Sequence, residues 1–306
     1  MSGEVDLRVD IAGIKMKNPV MTASGTYGFG LDYLQYYDVN ELGAVVVKSI
    51  TKNRREGNPP PRVIETPAGV LNSIGLANPG IDCFIEEIIP QMDIVQVPII
   101  VSIAGDEIEE YVELASRLDK QDRVSALEIN ISCPNVEKGG LEFSTSAEQV
   151  EELTSSVRKA TNLPIIVKLS PNVTDIVEIA QAAAAGGADA LSLINTVLGM
   201  VIDIHKRRPM LGNKKGGLAG PAIRPIAVRM VWEVSQAVEI PVIGMGGICT
   251  AEDALQFIMA GASAVAVGTW NFVNPTAPVD IINGLRDFCL KEGIKEIKDL
   301  IGCAWK

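Results

Sequence analysis

Histidine is almost absent from this chain of 306 residues, which contains only His205. A mechanism that needs two histidines is therefore excluded, and a metal site built mainly of imidazole ligands is not expected. The cysteines are widely spaced, include no CxxC pair and number five: Cys83, Cys133, Cys249, Cys289 and Cys303. This spacing argues against a disulfide framework, a zinc site and an iron–sulfur cluster in this chain. We therefore expect no bound metal.

Other absences limit the class of protein. The first residues show no basic segment followed by an apolar run, so we expect no secretory signal peptide. No apolar run reaches the ~18 residues that a membrane-spanning helix needs, and we expect a cytoplasmic protein. The net charge is −11, and this acidic balance argues against a nucleic-acid or anionic membrane surface.

Short apolar runs bounded by turn residues recur along the chain, in which 47% of the residues are hydrophobic. Each run is continuous rather than alternating, which is typical of a strand that is buried on both faces. The sequence predicts eight such strands, at residues 19–24, 44–49, 98–103, 126–132, 164–170, 190–196, 241–247 and 264–270.

Segments with apolar residues at helical spacing lie between most of these strands, for example at residues 107–118, 146–160, 175–187, 222–238 and 251–262. Repeated alternation of strand and helix predicts an α/β fold, a (β/α)8 TIM barrel, as a single domain over residues 1–306. An open doubly wound sheet is the rival. It is weakened because no GxGxxG fingerprint follows the first strand.

Three segments exceed a minimal barrel. Residues 5–18 alternate around Ala12 and Gly13, which predicts an N-terminal hairpin that closes the bottom of the barrel. Residues 51–80 and 197–220 are long excursions rich in glycine, together with proline, asparagine or basic residues. Both follow strands, so we expect long loops on the C-terminal face, where barrel enzymes carry their active sites.

Polar residues stand at or near the ends of the predicted strands: Ser24, Lys48, Ser49, Ser102, Asn130, Ser132, Lys168, Asn195 and Thr196. A lysine that follows four apolar residues is costly to bury without a partner. Either lysine alone is explained by a side chain that extends to solvent at the rim. Several polar strand ends on one face favour a shared site instead.

Glycines follow the seventh and eighth strands, in GMGGI at 244–248 and VGTW at 267–270. In barrel enzymes these two loops commonly bind a phosphate, because glycine lets backbone N–H groups approach it. Gly220 is a further candidate, although any one of these glycines is more often a turn or a helix cap. The residues alone leave FMN and a sugar phosphate equally open as the phosphorylated ligand.

Cys133 follows a strand end directly and precedes Pro134, so it is placed in a loop on the active face. A free cysteine is more often packing than chemistry. However, His205 lies in the charged run DIHKRRP and is expected to be an exposed loop residue. A thiol, with an ordinary pKa of ~8.5, is then the next available proton acceptor. The other four cysteines lie within or beside helical stretches and are expected to be packing residues.

Several longer motifs include these candidate residues: NPVMTASGTYGFG (18–30), VKSIT (47–51), NSIGLANPG (72–80), NISCPN (130–135), VKLSPN (167–172), LINT (193–196), GGLAGPAIRPIAVRMV (216–231) and MGGICTAEDALQFIMAGASAVAVGTWNF (245–272). With these motifs the sequence resembles the catalytic subunit of the dihydroorotate dehydrogenases of cytosolic class 1, subtype B. The resemblance covers essentially the whole chain.

This resemblance implies FMN-dependent oxidation of (S)-dihydroorotate to orotate in pyrimidine (UMP) biosynthesis. Cys133 matches the base that removes the C5 proton while hydride passes from C6 to FMN, and Lys48 matches a residue near flavin and substrate. The implied substrate-binding residues are Lys48, Asn72, Ser73, Ile74, Gly75, Leu76, Asn130, Asn195 and Thr196. The implied FMN contacts are Ser24, Lys48, Ser49, Ser102, Asn130, Lys168, Ile194, Gly220, Gly246, Gly247, Gly268 and Thr269.

Ser102 departs from the family, which commonly has asparagine there, so its flavin contact is expected to be weaker or water-mediated. Subtype B also implies a partner subunit with FAD and a [2Fe–2S] cluster that passes electrons to NAD⁺, in a heterotetramer around a catalytic homodimer. The alternatives are a dihydropyrimidine (uracil or thymine) dehydrogenase activity, the fumarate-using subtype A, and a non-redox aldolase or isomerase in which Lys168 forms a Schiff base.

Overall fold

Strands and helices alternate along most of the chain in the computed structural model, which describes residues 5–131 and 144–305. The strands of these residues are β1 (Val9–Ile11), β2 (Ile14–Met16), β3 (Val20–Thr22), β4 (Val45–Ile50), β5 (Val63–Thr66), β6 (Gly69–Asn72), β7 (Ile99–Ile103), β8 (Ala126–Asn130), β9 (Ile165–Lys168), β10 (Ala190–Leu193), β11 (Val197–Gly199), β12 (Ile202–Asp203), β13 (Arg208–Pro209), β14 (Gly216–Ala219), β15 (Val242–Met245) and β16 (Ala264–Val267). Their α-helices are α1 (Ile81–Cys83), α2 (Ile89–Gln91), α3 (Ile108–Leu118), α4 (Ala147–Arg158), α5 (Ile176–Ala185), α6 (Arg224–Ser235), α7 (Ala251–Ala260) and α8 (Ala277–Glu292).

The central sheet is parallel and nearly closes into a barrel, with the strand order β3-β16-β15-β10-β9-β8-β7-β4. Each predicted strand coincides with one of these elements. The edges β3 and β4 meet through Thr22, whose hydroxyl accepts from the Val46 N–H at 2.9 Å and donates to the Val46 carbonyl at 3.1 Å. The predicted TIM barrel is confirmed, and the open doubly wound sheet is wrong.

Two apolar layers explain why the strand sequences are continuous rather than alternating. In β8, Leu127 and Ile129 point outward and pack in the core between sheet and helices. Ala126 belongs to a second core inside the barrel, with Ile166 of β9 and Val46 of β4. Because both faces of each barrel strand are buried, both need apolar residues in the lower part of the barrel.

The N-terminal hairpin closes the lower end of the barrel, as the sequence predicts. Ala12 and Gly13 have φ of 53° and 88°, the pair of positive values that a tight two-residue hairpin turn requires. Ile11, Ile14 and Met16 pack into the inner core against residues at the starts of the barrel strands. The opposite, C-terminal end therefore remains for a site.

The two long excursions differ from the predicted loops, because they pair with each other. Strands β5 and β6 come from the first excursion, β11 and β14 from the second, and together they form an antiparallel sheet in the order β11-β14-β6-β5. Gly217 of this sheet lies so close to Thr196 that a Cβ there would be 1.9 Å from the Thr196 Oγ1. The glycines of this sheet thus permit close packing as well as turns.

Within residues 5–131 and 144–305, no helix combines the length and the apolar character needed to cross a membrane.

Candidate active site

Most of the predicted site residues line one cavity at the C-terminal end of the barrel. They come from different barrel strands, from β6 and from the glycine-rich connections. The predicted residues that line it are Ser24, Lys48, Ser49, Asn72, Ile74, Gly75, Leu76, Asn130, Lys168, Ile194, Asn195, Thr196, Gly220, Gly246, Gly247, Gly268 and Thr269.

Two predicted residues, Ser73 and Ser102, are not among those that line the cavity. Ser73 is buried, and its hydroxyl accepts a hydrogen bond from the Asn58 Nδ2 at 2.8 Å. Ser102 is also fully buried and shares a hydrogen bond of 2.8 Å with the hydroxyl of Ser49, which does line the cavity. Both serines therefore lie behind the cavity wall, and Ser102 contacts that wall through Ser49.

Cys133, the predicted base, lies outside the described residues, as do its neighbours Ser132 and Pro134. Its role stays a prediction.

Lys168 ends β9 and is 6% exposed on the cavity floor. Its Nζ donates to the Ser24 Oγ at 3.1 Å and lies 3.7 Å from the Glu128 Oε1. Glu128 is 2% exposed, and its Oε2 accepts from the Ser192 Oγ at 3.1 Å. The lysine is thus held by partners inside the barrel and does not extend to the rim.

Asn130 is the centre of a second hydrogen-bonded group. Its Nδ2 donates to the Ser49 Oγ at 3.2 Å, and its Oδ1 accepts from the Asn195 Nδ2 at 3.4 Å. The Tyr111 hydroxyl donates to its backbone carbonyl at 3.1 Å. These contacts link β4, β8 and the residues after β10, and they fix the orientation of amide groups at the cavity wall.

Lys48 reaches the cavity from an irregular stretch of β4. The pairing of β4 with β7 shifts register between Val47 and Ile50, and the Lys48 N–H donates to the Gly28 carbonyl at 2.8 Å. A bulge of this kind redirects a side chain that a regular strand would send elsewhere. The side chain is partly exposed and lines the cavity.

Glycines form one end of the cavity where chain segments nearly touch. Gly220, Gly246 and Gly247 have φ of 96°, 129° and 74°, which favour glycine. A Cβ on Gly247 would lie 2.7 Å from the Gly220 carbonyl oxygen, and one on Gly220 would lie 2.8 Å from the Gly69 Cα. Because these residues have no side chains, the backbone segments can come together at this end of the cavity and form a recess lined by backbone. A surface of this kind commonly accepts a phosphate.

The remaining lining residues are mostly apolar, and the sequence analysis did not find them. They include Ala23, Val63, Val70, Ile223, Met245, Ala266, Trp270 and Phe272. An apolar slot with a few converging polar groups is typical of sites for flat organic ligands. No signal in the sequence separates these residues from ordinary core residues. Glu128 was missed as well, although a carboxylate within the apolar run at 126–132 was a signal.

Cys249 also lines the cavity, where the sequence predicted only a packing residue. Burial and, to a smaller extent, the nearby Asp253 carboxylate raise the pKa of its thiol to about 11, against a small opposing effect of Arg224. The Cys249 thiol is therefore protonated at neutral pH and is a poor proton acceptor. His205 is exposed, as expected, between β12 and β13.

Comparison with known proteins gives consistent matches. A family model described as dihydroorotate dehydrogenase matches residues 6–289. The protein named "Dihydroorotate dehydrogenase B (NAD(+)), catalytic subunit" from Desulforudis audaxviator is 56% identical over 301 residues, which are 98% of each chain. Proteins of the same name from Geotalea uraniireducens and Alkaliphilus metalliredigens are 54% and 56% identical, over 98% of this chain and 98% and 99% of theirs. The residues that the family model matches include every residue that lines the cavity.

Proposed function

The chain belongs to the dihydroorotate dehydrogenase family, and from this premise we propose that its cavity binds FMN and oxidises (S)-dihydroorotate to orotate, a step of pyrimidine biosynthesis. When bound, FMN supplies the acceptor for the hydride that leaves C6 of the substrate. One observation supports this most directly: polar residues at the strand ends and the glycines Gly220, Gly246 and Gly247 line the same cavity at the C-terminal face.

The residues of the cavity fit FMN in three respects. Gly220, Gly246 and Gly247 line one end of the cavity with backbone, whose N–H groups can bind a phosphate, and a Cβ on any of them would meet neighbouring protein atoms at 2.9 Å or less. The apolar walls suit a flat ring system. The Lys168 ammonium at the floor stabilises negative charge on a bound group, and this effect is strong because the Lys168 side chain is itself buried.

The substrate side of the proposal rests on asparagines. Asn72, Asn130 and Asn195 line the cavity. Orotate is a planar anion with amide donors and acceptors on its ring, and an asparagine side chain offers one group of each kind. Asn72 lies on β6, where its Nδ2 donates to the Gly217 carbonyl at 3.1 Å, so the sheet above the barrel positions it. The family resemblance adds Cys133 as the base that takes the C5 proton.

We expect the purified chain to be yellow with a flavin spectrum, and the colour to bleach when dihydroorotate is added without oxygen. Dihydrouracil is the matched control, since it lacks the carboxylate, and should reduce the flavin far more slowly. Absorbance at the flavin bands measures both. Faster bleaching with dihydrouracil would favour the dihydropyrimidine dehydrogenase alternative. A folded, colourless protein that takes up no added FMN would exclude the proposal and leave the sugar-phosphate alternative.

The proposal extends to a partner. The relatives above are named as NAD(+)-linked catalytic subunits. We infer that this chain works with an electron-transfer subunit that carries FAD and a [2Fe–2S] cluster, in a cytoplasmic heterotetramer built around two copies of this chain. Electrons then reach NAD⁺, which separates this assembly from the fumarate-using subtype A.

Isolation of the tagged chain from its native cells tests the partner. We expect an iron-containing flavoprotein to be isolated with it, and dihydroorotate-dependent NAD⁺ reduction to need both proteins. The isolated chain should reduce an artificial acceptor but not NAD⁺. Efficient turnover with fumarate by the chain alone would contradict the partner and indicate subtype A.

A further inference from the structure

A buried carboxylate stands behind the lysine of the cavity floor. Glu128 points into the barrel from the middle of β8 and is not among the residues that line the cavity. It is 2% exposed, and Lys168 in front of it is 6% exposed. An ion buried to this degree is costly unless it is paired, so the carboxylate needs a partner within the barrel.

The surroundings of Glu128 supply one hydrogen bond and one charge. Its Oε2 accepts from the Ser192 hydroxyl at 3.1 Å. Its Oε1 has no hydrogen-bond partner among the described residues, and it lies 3.7 Å from the Lys168 Nζ. At this distance the contact is electrostatic rather than a direct hydrogen bond. The ammonium itself donates to Ser24 on the cavity wall, which draws it away from the carboxylate and towards the site.

We propose that Glu128 is a positioning residue, which holds the Lys168 ammonium on the cavity floor and offsets its charge, so that the bound flavin has a lower reduction potential than Lys168 alone would give it. This inference rests on the proposed binding of FMN.

The physical reason is charge balance. Reduction adds negative charge to a flavin, and a cation beside it favours the reduced form. A carboxylate behind that cation cancels part of its field, most effectively in the dry interior of the barrel, where charges are poorly screened. The pair therefore keeps a positive group beside the flavin without strongly stabilising the reduced form of the flavin. This suits a site that must pass electrons onward.

The first test is the midpoint potential of the bound flavin in Glu128→Gln, measured anaerobically against a reference dye. We expect the equilibrium between oxidised and reduced flavin to move at least tenfold towards the reduced form, which equals about 30 mV for a two-electron couple. Ser192→Ala is the matched control, because it removes the hydrogen bond to the carboxylate and keeps the charge, and its shift should stay below about threefold by this argument.

The wild-type protein is measured first, so failure of the proposed function is recognised separately as a wild-type chain that binds no flavin. An unchanged or lower potential in Glu128→Gln with wild-type flavin content would overturn the inference. So would an equal shift in Ser192→Ala.

A second test needs no flavin and remains valid if Glu128→Gln binds FMN poorly. In the FMN-free full-length chain, Lys168→Met leaves the carboxylate buried without its cation and should lower the thermal midpoint by roughly 6–10 °C. Adding Glu128→Gln to Lys168→Met should recover at least half of that loss, because no buried charge remains. A double variant less stable than Lys168→Met would show that the two side chains are not paired.

Discussion

Serine in place of Cys133 should slow the reduction of bound flavin by dihydroorotate about 10²–10⁴-fold near neutral pH, the range that a positioned proton acceptor contributes. The reason is that a serine hydroxyl is far less acidic than a thiol, whose ordinary pKa is ~8.5. At neutral pH a far smaller fraction of the Cys133→Ser molecules therefore has a deprotonated base. The difference in rate from the wild type should narrow once the pH exceeds the pKa of the thiol, because the thiolate fraction then stops rising. Anaerobic stopped-flow absorbance across a pH series measures the rate of the single reductive step.

Cys303→Ser is the matched control for this substitution. Cys303 is a free cysteine in the C-terminal 3-10 helix and is not among the residues that line the cavity. Both variants should retain the flavin content of the wild type, and Cys303→Ser should keep its reduction rate. If Cys133→Ser reduced its flavin at the wild-type rate, Cys133 would have no part in proton transfer.

Alanine in place of Gly247 should weaken FMN binding by roughly 10–100-fold, the effect of an overpacked site. The added Cβ would lie 2.7 Å from the Gly220 carbonyl oxygen and 2.9 Å from the Arg224 Cβ. Because the Gly220 carbonyl belongs to the backbone, the segments around Gly247 and Gly220 must move apart. This movement changes the shape of the recess for the phosphate. Titration of the FMN-free protein with FMN, followed by quenching of flavin fluorescence, measures the dissociation constant.

Gly293→Ala separates backbone strain from this steric effect. Gly293 follows α8 as its C-terminal cap with φ of 71°, close to the 74° of Gly247, but a Cβ there would have no neighbour within 4 Å. Both substitutions should cost about 1 kcal/mol in stability from the left-handed backbone. Only Gly247→Ala should also lose affinity for FMN. Wild-type affinity in Gly247→Ala would show that the segments around Gly247 and Gly220 do not hold the phosphate.

The strands of the barrel were predictable because a strand buried on both faces has a distinctive sequence. In β8, outward Leu127 and inward Ala126 are both apolar, so the run is continuous. The turn residues between runs then mark the order of strands and helices. The excursions were not predictable in this way. Pairs such as Asn72 with Gly217 join residues that are distant in sequence, and glycine-rich strands have no pattern of their own.

The residues of the candidate site likewise include some that the sequence could predict and others that it could not. Lys168 and Asn130 were identifiable because polar residues at the ends of buried strands converge in a barrel. Ser102 shows the limit of this argument, since it obeys the pattern but its hydroxyl contacts Ser49 behind the wall. Cys249 shows the converse. It lines the cavity although its sequence context, beside α7, indicated packing.

The barrel, the face that carries the site and the family of the chain could all be predicted from the sequence, because they depend on local patterns and on motifs of neighbouring residues. The three-dimensional fold was needed to show which polar residues reach the cavity, that the excursions form a sheet above it, and that Glu128 lies behind Lys168. These features depend on groups that are distant in sequence and meet only in the fold, as Glu128 and Lys168 do at 3.7 Å and as Asn72 and Gly217 do in the sheet. Such distances are set by the closure of the barrel and have no trace in any single stretch of the chain.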